Sequence, residues 1–210
     1  HKNKNKFVIR FNQETQGQEE ELKEYPKENL TATAVSEYDN GDAHEGPAKY
    51  VIDGKFDTHW HTNYSFWGEN ADTPEKRTIN LELAEAEEIA ELQYYPRTYG
   101  GSNGFITDYR VEVKSLTEDK WIKVSEGSWK QGEEKWHKAK FDTSVKTKNV
   151  RLVAVHTYSD KGDDKHASEL RLMLANKKDE LNVSNSSIEI EGLVDGKIEV
   201  VKVNEKYPVR

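Results

Sequence analysis

Asp108–Lys114 reads DYRVEVK, with Tyr109, Val111 and Val113 apolar and every residue around them charged. Strict period two over seven residues describes a strand with one buried and one wetted face. The same alternation recurs on either side. TATAV (Thr31–Val35), TINLEL (Thr78–Leu83), IAELQYY (Ile89–Tyr95) and KWIKV (Lys120–Val124) carry it, as do WHKAKF (Trp136–Phe141), NVRLVAV (Asn149–Val155) and SELRLML (Ser168–Leu174). Each run is short and bounded by Gly, Asp, Asn or Thr, the punctuation of antiparallel strands. About eight such strands in roughly 150 residues predict an all-β sandwich or jelly roll, because a single open sheet would leave its second face bare. No segment keeps a helical apolar period beyond about two turns; Gln18–Tyr25 comes nearest and is mostly charge.

Composition narrows the function classes. Hydrophobic residues make up 34% of the 210 and charged residues 33%, yet aromatics reach 10%, with five Trp and ten Tyr. A disordered acidic chain lacks such aromatics, so a core forms, built from short segments between large loops. A net charge of −8 argues against nucleic acid, whose phosphates need clustered Lys and Arg. With no Cys, disulfides, thiol catalysis and cysteine–metal sites are all excluded. No apolar run has signal-peptide or membrane-span length, so any export signal is expected upstream.

Two loops are long: Tyr38–Tyr50, polar and Gly-rich, and Thr62–Arg77, which carries Tyr64, Phe66 and Trp67. Loops of that length in a compact domain are commonly functional. The first 24 or so residues hold one strand candidate, FVIRF (Phe7–Phe11), and a Gln/Glu run. Beyond Asn176 a charged connector leads to SSIEI, a turn at Asp195-Gly196, and IEVVKV, one hairpin's worth of sequence.

The chemistry concentrates in YVIDGKFDTHWHT, Tyr50–Thr62. Asp53, Asp57 and the Thr58 hydroxyl are hard oxygen donors on a tight turn that Gly54 lets curl, the ligand type Ca²⁺ takes. The spacing is not that of an EF-hand. From this stretch alone, a hairpin turn whose Asp residues cap backbone amides is the simpler account. Trp60 reads as core. His59 and His61, two apart on a strand, face one way, but no third zinc ligand stands at a recognisable spacing.

Taken together, IDG-x-x-DT-x-WHT, YPRTYGGSNGFITDY (Tyr95–Tyr109), VRLVAV (Val150–Val155) and HASELRL (His166–Leu172) resemble a discoidin-type (coagulation factor C-type) jelly roll. More narrowly, they resemble the family 32 carbohydrate-binding modules. The resemblance covers about Glu28–Asn176 and implies an N-terminal extension or linker over 1–27, a discoidin-like carbohydrate-binding module over 28–176, and a linker plus hairpin, accessory strands or the start of another module over 177–210.

The resemblance further implies one structural Ca²⁺, held by the carbonyls of Tyr50 and Lys55, the Asp53 side chain, Thr58 through hydroxyl and carbonyl, the Ser168 carbonyl and the Glu169 carboxylate, with Asp57 as an extra candidate. It implies a separate sugar pocket at His61, Tyr64, Arg97 and Asn103. His44 and Glu45 are further polar contacts, and Tyr64, Phe66 or Trp67 are stacking platforms. Arg97 offers a planar fork to adjacent hydroxyls, and His61 an acceptor to an axial one.

The expected function is non-catalytic binding of glycans ending in galactose or N-acetylgalactosamine. The module would target an attached secreted glycosidase or surface protein, outside the cell where calcium is millimolar. The alternative is an adhesion module meeting protein or phospholipid through loop tips such as Phe66 and Trp67; the acidic charge disfavours anionic lipid. A glycosidase would need two carboxylates flanking a cleft. The acidic run EAEEIAE (Glu85–Glu91) instead reads as a solvent-facing strand edge, so no catalytic residue is assigned.

Overall fold

A computed structural model describes residues 21–39, 41–63, 73–98, 103–158, 166–167, 169–176, 188–194 and 197–203. In chain order its strands are β1 Leu30–Ala34, β2 Glu45–Gly46, β3 His59–His61, β4 Thr78–Tyr95, β5 Phe105–Lys114 and β6 Trp121–Ser128. They continue as β7 His137–Tyr158, β8 His166–Ala167, β9 Glu169–Leu174, β10 Ile188–Val194 and β11 Lys197–Val203. The candidate strand Phe7–Phe11 lies outside the described residues, as do the loop residues Tyr64, Phe66 and Trp67 and the metal candidate Ser168.

Two of these strands are longer than the alternation predicts. Thr78–Leu83 and Ile89–Tyr95 are halves of one strand, β4, and Trp136–Phe141 and Asn149–Val155 fall largely within β7. The ladder between them slips between Glu82 and Glu87 and again between Ile89 and Glu91. Those slips explain why the sequence reads as separate strands. Ile79, Leu81, Leu83 and Ile89 are buried at odd positions, whereas Leu92 and Tyr94 are buried at even ones. A bulge inserts a residue and so reverses the parity of the buried face.

The first half of β4 pairs with β1 and the C-terminal part of β7; its second half pairs with the start of β7 and with β9. β5 continues the sheet from β7 to β6. The result is an all-β sandwich, folded from a continuous hydrogen-bonded system around one core. Inside it Trp129 stacks on Tyr109 at 4.0 Å and on Tyr94 at 4.9 Å, and its indole N–H donates to the Lys138 carbonyl at 2.9 Å.

The segment before β1 also joins the sandwich. The Tyr25 amide donates to the Leu172 carbonyl, and the Leu174 amide to the Lys23 carbonyl, both at 2.8 Å. The chain divides into units His1–Ala175 and Asn176–Arg210. In the second unit β10 and β11 form an antiparallel hairpin, from Ile188↔Val203 to Val194↔Lys197. Among the described residues no helix is long and apolar enough to cross a membrane.

The acidic run is solvent-facing over Glu85, Glu87 and Glu88, which are exposed, but it is not the expected strand edge, since Glu87 and Glu88 pair with Thr147 and Lys146 of β7. Glu91 departs from that: it is 2% exposed, and its carboxylate accepts from the Gln93 amide.

A third sheet has the strand order β2-β3-β8. β2 lies parallel to β3, with Glu45 opposite His59 and Gly46 opposite Trp60. Gly46 has φ 125°, and a Cβ there would stand 1.6 Å from the Tyr38 carbonyl oxygen. Gly46→Ala is therefore expected to cost about 2–4 kcal/mol, since both the backbone conformation and the close approach must give way. Gly54→Ala, at φ 76° with open space around the new Cβ, should cost only about 1 kcal/mol. Urea unfolding of both variants checks the contrast.

Candidate functional site

The turn after Ile52 gathers oxygens. Val51 is fully buried and anchors the short 3₁₀ segment Ala48–Ile52. Gly54 then takes φ 76° and reverses the chain. The Lys55 amide donates to Asp53 Oδ1 at 2.9 Å and to Glu169 Oε1 at 3.1 Å. The Thr58 hydroxyl donates to Asp53 Oδ2 at 2.7 Å and lies 3.5 Å from the Lys55 carbonyl oxygen. Asp53, Lys55, Thr58 and Glu169 thus meet, although Glu169 comes from β9, 114 positions beyond Lys55.

Glu169 is fully buried. Burial raises its carboxyl above the usual carboxylate range, the Lys27 ammonium opposes the rise by favouring the charged form, and the Asp53 carboxylate within hydrogen-bonding reach adds to it. Two carboxylates, a hydroxyl and a backbone carbonyl turned toward one another form a hard-oxygen donor set, which fits a calcium ion. The Tyr50 hydroxyl donates to the Asp42 carbonyl at 2.9 Å. Asp57 is exposed, and its carbonyl oxygen lies 3.1 Å from His44 Nδ1. Among the described residues no three His, Cys, Asp or Glu side chains are placed to hold a metal ion by themselves.

Beside this turn β3 presents two imidazoles. His59 and His61 are 2% and 1% exposed, with ring centroids 6.3 Å apart. Glu45 Oε1 stands 3.6 Å from His59 Nε2 and 3.9 Å from His61 Nε2. His61 Nδ1 lies 2.6 Å from the Thr62 carbonyl oxygen. A carbonyl only accepts, so that nitrogen carries the proton, and in the neutral ring Nε2 keeps its lone pair. Trp60, between the two histidines, is fully buried as expected, and its indole donates to the Ser36 carbonyl at 2.9 Å.

Arg97 follows the end of β4 and is half-buried. Its neighbour Thr98 donates to the Phe56 carbonyl at 2.7 Å, tying this segment to the oxygen-rich turn. Burial, followed by the positive charge of Arg97, lowers the His59 pKa to about 4, against an opposing pull from Glu45. His59 is therefore neutral at pH 7.

The unfolded chain takes up a proton near 6.5 that the folded imidazole refuses until about 4. Stability from this source is complete above pH 6.5 and drains away as pH falls toward 4, by up to about 3 kcal/mol. Urea unfolding at pH 7, 6, 5 and 4 should show that loss, with a shallower decline in His59→Gln.

Of the sugar-pocket candidates, Glu45 and His61 meet on the β2-β3-β8 sheet, with His61 closed off from solvent, and the charge of Arg97 is felt at the neighbouring His59. Asn103 is half-buried in the turn before β5, and His44 is exposed. Sequence reasoning did not find His59 as the buried partner of Glu45. Nor did it find Lys27, whose ammonium stands 2.6 Å from Glu169 Oε2 across 142 positions. It also passed over a half-exposed aromatic group in which Phe56 packs on Tyr95 at 4.4 Å and Arg171 covers Trp136 at 3.9 Å. No local spacing signals contacts of that sequence separation.

Residues 31–169 match the family described as F5/8 type C domain. Among solved structures, the Clostridium perfringens module CpGH89CBM32-5, in complex with GalNAc-β-1,3-galactose, is 34% identical with a TM-score of 0.59, over 72% of this chain and 99% of that one. The family 32 carbohydrate-binding module of Clostridium perfringens NanJ, in complex with galactose, is 26% identical with a TM-score of 0.58, over 71% and 96%.

An A type blood N-acetyl-α-D-galactosamine deacetylase of Flavonifractor plautii is 34% identical over 104 residues, 50% of this chain and 12% of that protein. A galactose oxidase of Gibberella zeae is 33% identical over 105 residues, 50% of this chain and 15% of the oxidase. The chain thus spans only a small part of these curated relatives. The family match runs from Thr31 in β1 to the first residue of β9, and on it this chain belongs to the F5/8 type C, or discoidin, domain family.

Proposed function

We propose that the sandwich is a non-catalytic carbohydrate-binding module that takes glycans ending in galactose or N-acetylgalactosamine. The observation that carries this reading is the meeting of Glu45 with the His59–His61 pair, within the field of the Arg97 charge. Such a site offers hydroxyl groups a planar cationic donor and a carboxylate acceptor, the latter held by two buried imidazoles. The 34% identical module, solved with GalNAc-β-1,3-galactose, supports the same ligand class.

In this reading Arg97 donates to two neighbouring hydroxyl oxygens and Glu45 accepts from others, while the buried His59 and His61 rings back the Glu45 carboxylate rather than meet the sugar. Asn103 and His44 add polar contacts at the rim. Tyr64, Phe66 or Trp67 stack on the apolar face of the ring. One shallow pocket should bind weakly, with Kd roughly 10 µM to 1 mM. An attached glycosidase or surface protein outside the cell would gain targeting from it, and several modules in one chain would add avidity.

The same proposal includes one structural calcium ion. The carbonyls of Tyr50, Lys55 and Ser168, the side chains of Asp53, Thr58 and Glu169, and Asp57 as an extra donor would hold it. When bound, the ion supplies positive charge between carboxylates that otherwise repel, and so ties the Asp53–Thr58 turn to β9.

A glycan-array screen in millimolar CaCl₂, repeated in EDTA, tests the function. Selective retention of galactose- or N-acetylgalactosamine-terminated glycans is the expected result; a blank array from folded, calcium-loaded protein would transfer the assignment to a protein or lipid ligand. Removing calcium should lower Tm. If Kd is about a hundredth of the calcium concentration, the loss is about 2.7 kcal/mol, or roughly 5–10 °C for a domain of this size. Thermal melts in CaCl₂ and in EDTA measure it, and superimposed curves would remove the ion from the proposal.

A further inference from the structure

Glu169 is fully buried, and the group facing its Oε2 is Lys27 Nζ at 2.6 Å. A buried carboxylate without a counter-charge is costly, and this ammonium supplies one. Lys27 does not reach Glu169 by chance of a mobile surface side chain. The preceding backbone is hydrogen-bonded to β9 through Tyr25 and Leu172, and Glu24 bridges to Met173. The register of that pairing places Lys27 beside Glu169. The ammonium also has two other partners within a small swing: Glu24 Oε1 at 3.8 Å and the Trp136 ring at 5.5 Å from its centroid.

We infer that Lys27 is a built-in counter-ion of the calcium turn, seated on Glu169 in the calcium-free protein and giving way to Glu24 and the Trp136 ring when the ion enters. This rests on the proposal that the turn binds calcium. A monovalent ammonium and a divalent ion compete for the same carboxylate, so the lysine sets calcium affinity below what the oxygen donors alone would give. It also moderates how strongly the fold depends on calcium.

The test is calorimetric titration of the 210-residue chain with CaCl₂, together with thermal melts in EDTA, for the wild type, Lys27→Met and Lys23→Met. Lys23→Met removes the same charge from an exposed position on the same segment. Lys27→Met should bind calcium at least about tenfold more tightly and melt lower in EDTA, while Lys23→Met stays within about twofold of wild type. A Lys27→Met protein that folds only with calcium present also supports the inference. If it fails to fold under both conditions, Lys27→Gln is measured in its place against the same tenfold criterion.

Unchanged or weaker calcium binding in the neutral variant, beside a wild type that binds, overturns the role of Lys27 and leaves the calcium site standing. No calcium binding by either protein overturns both. Binding by the neutral variant alone would mean that the ammonium excludes the ion completely, the strongest form of the competition.

Discussion

Trp60→Ala is expected to cost about 3–5 kcal/mol, the range for deleting a fully buried large aromatic. Trp60 has no exposed surface, lies between β2 and β8, and spends its only polar atom on the Ser36 carbonyl. Truncation leaves a cavity and strips a donor from a buried carbonyl, and the two penalties add. Against a total stability of about 5–15 kcal/mol, the variant should be partly unfolded at 37 °C. Trp60→Phe restores most of the volume but not the N–H, so it should recover more than half of the loss. Urea unfolding of the three proteins gives the comparison. A loss below about 1 kcal/mol for alanine would mean that β3 is not the packed centre of this end of the fold.

Arg97→Ala is expected to abolish retention on galactose-terminated glycans, by at least about 30-fold, because a hydrogen-bonding site deprived of its charged donor leaves the remaining polar groups unpaired. Arg97 is half-buried at the end of a strand. Its removal should therefore shift Tm by no more than about 2 °C. Arg97→Lys keeps the charge but not the fork and should recover little binding. Both variants can be run on the same array as the wild type, with melting curves as the folding control. Full retention by Arg97→Ala would place the sugar elsewhere.

His61→Ala is a poorer probe of the same pocket. His61 is 1% exposed and hydrogen-bonded to the Thr62 carbonyl, so its loss is expected to lower stability along with any binding.

Much of this molecule is written locally. Alternation at Asp108–Lys114 and its counterparts identifies the strands, because the side-chain period of a strand is a property of consecutive residues. The Asp195-Gly196 dipeptide is a local turn signal in the sequence for the same reason, and β10 ends at Val194 and β11 begins at Lys197. The order of the IDG, YPR and SELRL motifs carries the family. Even the burial of Trp60 follows from its apolar bulk on a short strand.

The tertiary structure decided what depends on partners far along the chain. It joined predicted strands into β4 and β7 where bulges reverse the buried parity, which alternation alone reads as a break. It buried His59 within the field of the Arg97 charge, and burial first and that charge second keep the imidazole neutral at pH 7. It also set Gly46 against the Tyr38 carbonyl. Glu169 met Lys55 across 114 positions and Lys27 across 142. The charge, burial and donor geometry of a site are sums over such contacts, and no window of sequence contains both of their ends.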